Sequence, residues 1–279
     1  ATINEPWCVA FLSHYLGKHA PGHRDIRSAA RASHHVLLAH GTAIRAMRAA
    51  GLDNLGIVLN HEVAQPAGDS PEDAQAARLW DGIFNRWYLD GVLKGSYPGD
   101  VLDFFGEHVP EGFGLDLETV STPIDWLGVN YYTRSLWRGG EGQPVPVPGP
   151  LDKTEMGWEI YPQGLRDMLV RIARDYPHVP LYVTENGMAE VEGLDDARRV
   201  KYYDDHLGAV REAMDQGADM RGYFAWSLLD NYEWAEGYAK RFGLVHVDYR
   251  TQQRTPKQSY EAFRTLLAPS QLLSEKGVL

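Results

Sequence analysis

Two textures alternate along this chain, and the alternation restricts its fold more than any other feature. Short apolar runs rich in branched and aromatic residues, at 55–59, 126–132, 181–184 and 222–226, read as strands. Longer segments with helical spacing lie between them. Apolar or small residues at Ile26, Ala29, Ala30, Val36, Leu37, Ile44 and Met47 fall on one helical face, and Gly51 ends that helix. Ser70-Pro71-Glu72-Asp73 announces a second helix: Ser70 caps, Pro71 suits the first turn, and the acids face the positive end of the dipole. Its buried stripe is expected at Ala77, Trp80, Ile83 or Phe84, Trp87 and Tyr88, with Trp80 and Trp87 in the core. Further helices are expected at 164–174, 195–216 and 258–267. Strand following helix in this way implies an α/β fold, a parallel sheet with helical crossovers. Each strand candidate runs into a polar or aromatic cluster: Asn60-His61-Glu62, Asn130-Tyr131-Tyr132, Glu185-Asn186, and residues 227–234. In a parallel barrel, function collects at the carboxyl ends of the strands.

The 279 residues suffice for one barrel-sized domain, taken as 1–279, with no repeat or low-complexity tract. A net charge of −11 argues against a nucleic-acid partner, whose phosphates need a basic surface. No run approaches the roughly 18 apolar residues of a membrane span, so no membrane partner is expected. Residues 141–150 carry too many prolines for a regular element and read as a long loop at a pocket rim. Cys8 is the only cysteine, so no internal disulfide exists and a reducing, cytoplasmic location is expected. Its apolar neighbours suggest a buried or pocket-wall thiol. His34, His35 and His40 lack the facing pair of a zinc helix and read as packing residues; no metal or other cofactor is expected. His61-Glu62 has no evident role at this level.

Glycoside hydrolysis needs two carboxylates flanking the scissile bond, one to donate a proton and one to meet positive charge at the sugar carbon. Among 38 acids, context singles out two. Glu185 stands where the run Leu181-Tyr182-Val183-Thr184 ends, and Glu5 stands in Thr2-Ile3-Asn4-Glu5-Pro6, where Pro6 would stop a strand. Taken singly, each could equally cap a helix or pair with an arginine.

Thr-Ile-Asn-Glu-Pro and Val-Thr-Glu-Asn-Gly together resemble the two signature segments of the family-1 glycoside hydrolases, the β-glucosidase and β-galactosidase family. Trp126-Leu127-Gly128-Val129-Asn130-Tyr131-Tyr132 resembles that family's sixth-strand segment. Glu155-Met156-Gly157-Trp158-Glu159 resembles a rim segment, and residues 225–242 resemble the eighth strand with its loop. The order matches over nearly the whole chain.

The resemblance implies a (β/α)8 barrel and a retaining β-glycosidase of the β-glucosidase type. Glu5 would be the acid/base and Glu185 the nucleophile, their carboxyls about 5–5.5 Å apart rather than the roughly 6.5–9.5 Å of inverting enzymes. Glu5 would have a raised pKa and Glu185 would be ionised in the free protein. Asn4 matches the residue bonding the sugar 2-hydroxyl, which requires Asn4 and Glu5 to leave regular strand geometry. Tyr132 matches the tyrosine bonded to the nucleophile, and Asn130 joins the substrate-binding set. Trp226 matches a stacking platform, followed by a cis peptide to Ser227; Glu233 and Trp234 match the pair that bonds the 4- and 6-hydroxyls. Phe242 would close the glycone wall, and Trp158, with Cys8 nearby, would border the leaving group. A carboxylate at Glu233 implies unphosphorylated sugars, and Glu5 excludes the plant myrosinase route, which has glutamine there.

Asn4-Glu5 matches the end of the fourth of eight family strands, so the chain would cover only the end of strand 4 through helix 8. The absent strands supply, in the family, a glutamine, a histidine and a tryptophan for the sugar, and an arginine beside the nucleophile. The expected partners are therefore a carbohydrate substrate and the N-terminal part of the same enzyme, or another copy, to complete the barrel. A catalytically silent half-barrel is the alternative. The sequence opens on Ala1 without an initiating Met, which reads as the retained piece of a larger enzyme.

Overall fold

The computed structural model describes residues 1–140, 144–191 and 193–268. A π-helical segment, Cys8–Leu12, leads toward α1 (Ile26–Ala49), capped by the Asp25 carboxylate, which accepts from the Ser28 N–H at 2.7 Å. β1 (Gly56–Pro66) is followed by α2 (Pro71–Asp81), a π-helical turn at Gly82–Arg86, and α3 (Trp87–Lys94). The short helices α4 (Gly99–Phe105) and α5 (Leu117–Val120) return the chain to β2 (Trp126–Gly139) and β3 (Pro144–Val147). The remaining elements are α6 (Pro162–Asp175), β4 (Leu181–Asn186), α7 (Ala197–Asp215), β5 (Met220–Ala225), a ribbon of β6 (Val245–Val247) and β7 (Arg254–Pro256), and α8 (Gln258–Leu267). No described helix is long and apolar enough to cross a membrane.

β1, β2, β4 and β5 pair in that order, all parallel, as the strand and helix alternation requires. Residues 2–5 run along the free side of β1: the Glu5 N–H bonds the Val58 carbonyl at 3.0 Å, and the Val58 N–H bonds the Ile3 carbonyl at 3.0 Å. The arrangement is α/β, as expected for part of a (β/α)8 barrel. Ile57, Leu59, Leu127, Val129, Leu181 and Val183 share a buried core with Leu165, Leu169 and Ile172 of α6. The inter-strand register shifts near the carboxyl ends, between His61 and Val63, at Val129/Asn130, and between Val183 and Asn186. Such bulges re-aim side chains where the ladder stops.

The structure departs from several expectations. β1 and β2 run on past Leu59 and Tyr132 because they keep pairing as far as Pro66 and Trp137, although apolar alternation has ended. The second helix is broken by the π turn, whose extra residue lets both Ile83 and Phe84 be buried. Trp87 is core as expected, but Trp80 is only half-buried: it stacks on Trp137 at 4.1 Å and lines a cleft. The proline-rich loop contains β3, on the sheet edge, where Pro144 and Pro146 sacrifice no central ladder bond. Residues 141–143 of that loop lie outside the described residues, and Pro144 to Gly149 border the same cleft, at a rim as anticipated. Trp226 lies just beyond β5 rather than in it. His34 and His40 are buried and bonded, to Tyr97 and Asp116 and to Thr2 respectively, whereas His35 faces solvent.

The loop after β5 is anchored by a buried charge. The Asp230 carboxylate accepts from Lys257 Nζ at 2.9 Å, the Gly243 N–H at 2.9 Å, the Val247 N–H at 3.2 Å and Arg241 Nη1 at 3.4 Å. Lys257 is 2 % exposed, so removing its partner leaves an ammonium without compensation. Asp230→Ala should lower stability by about 3–5 kcal/mol. Urea denaturation measures this, and an unchanged midpoint would show that the network does not hold the loop.

Candidate active site

Glu5 sits at the point where residues 2–5 leave β1. Its φ of +50° lies in the left-handed region, which costs a non-glycine residue about 1 kcal/mol. That departure lets two successive side chains meet one partner: Asn130 Nδ2 donates to Glu5 Oε1 at 2.9 Å and to Asn4 Oδ1 at 3.2 Å. The other carboxyl oxygen, Oε2, accepts from the Cys8 thiol at 3.1 Å. Cys8 is thus in direct contact with Glu5. Asn130 itself is fully buried, and Thr184 Oγ1 donates to its Oδ1 at 2.6 Å, which sets the amide so that Nδ2 faces the two residues.

Glu185 stands opposite Asn130 in the β2–β4 register. The Tyr132 hydroxyl donates to its Oε2 at 2.6 Å. Asn186, next in sequence, points into the protein, where Nδ2 donates to the Tyr131 carbonyl at 2.7 Å and to the Tyr202 hydroxyl at 2.9 Å. Gly187 is required by close approach: a Cβ there would lie 1.8 Å from the Trp226 carbonyl oxygen. The signature Glu-Asn-Gly therefore divides its labour among cleft, core and backbone contact.

The electrostatics overturn one expectation. Glu185, anticipated to be ionised, is pushed up to about 7 by burial and then by the charge of Glu5, against hydrogen bonds from Tyr132 and Asn130 that favour its charged form. Among the described residues no cation stands beside it to counter these effects. Glu233 is raised as well, by burial first and in part by Glu5, while Asn231 and Trp226 hydrogen bonds oppose the shift. Burial and the same acids push the Tyr132 phenol well up, so it stays a donor.

The remaining predicted residues surround this pair unevenly. Trp226 is half-buried, and its peptide to Ser227 is cis, as the resemblance implied. Glu233 accepts from Asn231 Nδ2 at 2.9 Å. Trp234 is 66 % exposed, its ring against His19 at 5.9 Å rather than enclosed in a pocket. Phe242 is 1 % exposed, so it does not itself face a ligand; it lies behind Tyr132 and Trp158, each 6.2 Å away, and supports those rings. Trp158 stands 5.2 Å from Tyr132 and borders a cleft of about 710 Å³. Asn130, for its part, contacts catalytic candidates rather than open space and acts as their support.

Sequence reasoning missed Thr184 as the residue that orients Asn130, and it left His61-Glu62 without a role. His61 bonds Asn85 at 3.1 Å. The Glu62 carboxylate accepts from the Trp80 indole and from Ser135 Oγ, and burial raises its pKa. Glu62, Trp80, Ser135 and Trp137 form one wall of the cleft beside Trp158. The polar cluster Asn60-His61-Glu62 at the end of the apolar run was the available signal.

The ordinary value of Glu185, near 4.5, and its raised value of about 7 set the sign of its effect on stability. Between them the folded chain keeps a proton that the unfolded chain has released, so stability falls as pH rises from 4.5 through 7. Glu185→Gln should therefore exceed the parent in stability at about pH 8 by on the order of 2–3 kcal/mol, and the gap should close toward about pH 4. Urea midpoints at several pH values test this, and a gap independent of pH would mean that the folded chain holds Glu185 ionised throughout.

Residues 1–271 match the family model described as glycosyl hydrolase family 1. A β-glucosidase of Agrobacterium sp. is 42 % identical over 280 residues, covering 95 % of this chain and 61 % of that protein. β-Glucosidase A of Thermotoga maritima is 42 % identical over 270 residues, covering 92 % and 60 %. A solved structure of the family 1 β-glucosidase from Thermotoga maritima in complex with isofagomine lactam superimposes with a TM-score of 0.92 at 40 % identity, over 95 % of this chain and 62 % of that one. The chain spans about 60 % of the length of the curated relatives it matches. With the family model matching residues 1–271 of its 279, the chain belongs to glycosyl hydrolase family 1.

Proposed function

We propose that this chain carries both catalytic carboxylates of a retaining β-glycosidase of the β-glucosidase type, acting on unphosphorylated β-glucosides or related β-glycosides. The observation that carries the reading is that the two acids act on each other's charge, with Asn130 donating to Glu5 and standing opposite Glu185 in the strand register. Glu185 attacks the anomeric carbon while Glu5 passes its proton to the departing oxygen, leaving a glycosyl ester on Glu185. Glu5, now a carboxylate, takes a proton from water; the hydroxyl adds to the anomeric carbon and Glu185 is released. Tyr132 occupies Oε2 of Glu185 and leaves Oε1 for attack. Asn4 serves the 2-hydroxyl, Trp226 the sugar face, and Glu233 with Trp234 the outer hydroxyls. Glu5, Glu185 and Glu233 act on one another electrostatically, a field that repels phosphate.

A nucleophile raised to about 7 is poorly suited to attack, which favours a second element in the reading. An N-terminal barrel segment, from the same enzyme or from another copy, completes the pocket and brings the arginine implied by the family resemblance beside Glu185. Two features support this. β5 pairs with β4 alone among the described strands, and Phe224 in β5 is 57 % exposed and Leu228 in the loop beyond it 58 %. By this reading the chain alone is a silent half-barrel.

Nitrophenyl β-glucoside assays on the chain alone and on the completed barrel test both elements. The chain alone should be inactive. The completed barrel should hydrolyse the substrate, release the β-anomer first by proton NMR, and lose at least about 10³-fold in kcat with Glu185→Gln. Release of the α-anomer first would exclude double displacement, and full activity of the lone chain would exclude the need for completion.

A further inference from the structure

The two oxygens of the Glu5 carboxyl have chemically different partners. Oε1 receives an N–H from Asn130 at 2.9 Å, and an amide nitrogen can only donate. A proton placed on Oε1 would weaken that bond, because a hydroxyl oxygen is a poorer acceptor than a carbonyl-type oxygen. Oε2 meets the thiol of Cys8 at 3.1 Å, and a thiol both donates and accepts, weakly in each direction. Sγ is in turn approached by Nδ2 of the buried Asn60 at 3.8 Å.

The backbone holds this contact in register. The Cys8 N–H bonds the Glu5 carbonyl at 2.9 Å, and the π-helical segment begins at Cys8. Only two residues separate the acid from the thiol, and the φ of +50° at Glu5 takes its backbone out of regular strand geometry. Burial, the charge and hydrogen bond of Glu5, and the charge of Glu185 all keep Cys8 in its S–H form, so it is a steady donor rather than a reactive thiolate.

We propose that Cys8 is a positioning residue for Glu5: together with Asn130 it clamps the carboxyl so that Oε2 is the oxygen that carries the proton and delivers it to the leaving group. The inference rests on Glu5 being the acid/base. Because the thiol binds Oε2 weakly, it orients the oxygen without holding back its proton.

Leaving-group dependence in the completed barrel tests the idea, because kcat/KM reports the glycosylation step. Alkyl β-glucosides depart only with proton assistance, whereas dinitrophenolate leaves without it. Cys8→Ala and Cys8→Val, which remove the donor with and without loss of bulk, should both lower kcat/KM for an alkyl glucoside by about tenfold. Both should leave kcat/KM for the dinitrophenyl glucoside within about twofold, and Cys8→Ser, which restores a donor and acceptor, should recover the alkyl glucoside rate. Equal losses on the two substrates, or no loss on either, would overturn the role of Cys8 while leaving Glu5 as the acid/base. A parent protein that hydrolyses neither substrate would instead overturn the catalytic reading itself.

Discussion

One amide holds the cleft together. Asn130 lies at the end of β2, one strand from Glu185 on β4 and two from the segment that carries Glu5, which runs beside β1, and its side chain reaches across to Glu5. Nδ2 faces Asn4 and Glu5, and Oδ1 is held by Thr184. The register shift at Val129/Asn130 places Asn130 opposite Glu185. Without that shift the alternation of a pleated strand would turn one of the partners toward the helices.

The cleft gathers like charges where solvent is scarce, an arrangement that opposes folding and therefore depends on support elsewhere. Glu185 responds by holding its proton far above the usual carboxylate range. The surrounding scaffold uses paired charges instead. Asp230, Lys257 and Arg241 fasten the loop that carries Glu233, and Asp196 with Arg199 and Ser259 fastens α7 to α8. These ions are buried but hydrogen-bonded, the condition under which a buried charge is tolerated. Aromatic rings provide the remaining rigidity: Phe242 behind Tyr132 and Trp158, and Trp137 against Trp80.

Much of this was legible before any coordinates. The strand starts at Trp126 and Leu181 and the helix over 258–267 follow from apolar spacing and capping chemistry, both local properties. Glu5, Asn4, Tyr132 and Glu185 were legible from their short segments, and the structure brings all four to Asn130 or to one another. Other features were misjudged for a common reason. The length of β1, the edge strand at Pro144–Val147, the half-buried Trp80 and the buried Phe242 each depend on what lies alongside, and neighbours are not written in local pattern.

The amino-acid sequence by itself determined the alternation of strands and helices, the identity of the two acids and the family to which they belong. These reside in periodicity and in short contiguous segments, where each residue's chemistry is set by its own type and its immediate neighbours. Tertiary structure alone decided that burial and a neighbouring acid raise Glu185, which oxygen of Glu5 faces a thiol, and which aromatic rings line the cleft rather than support it. Those properties depend on distance and burial between groups remote in the chain, since Coulomb and desolvation energies are functions of position in space and not of position in sequence.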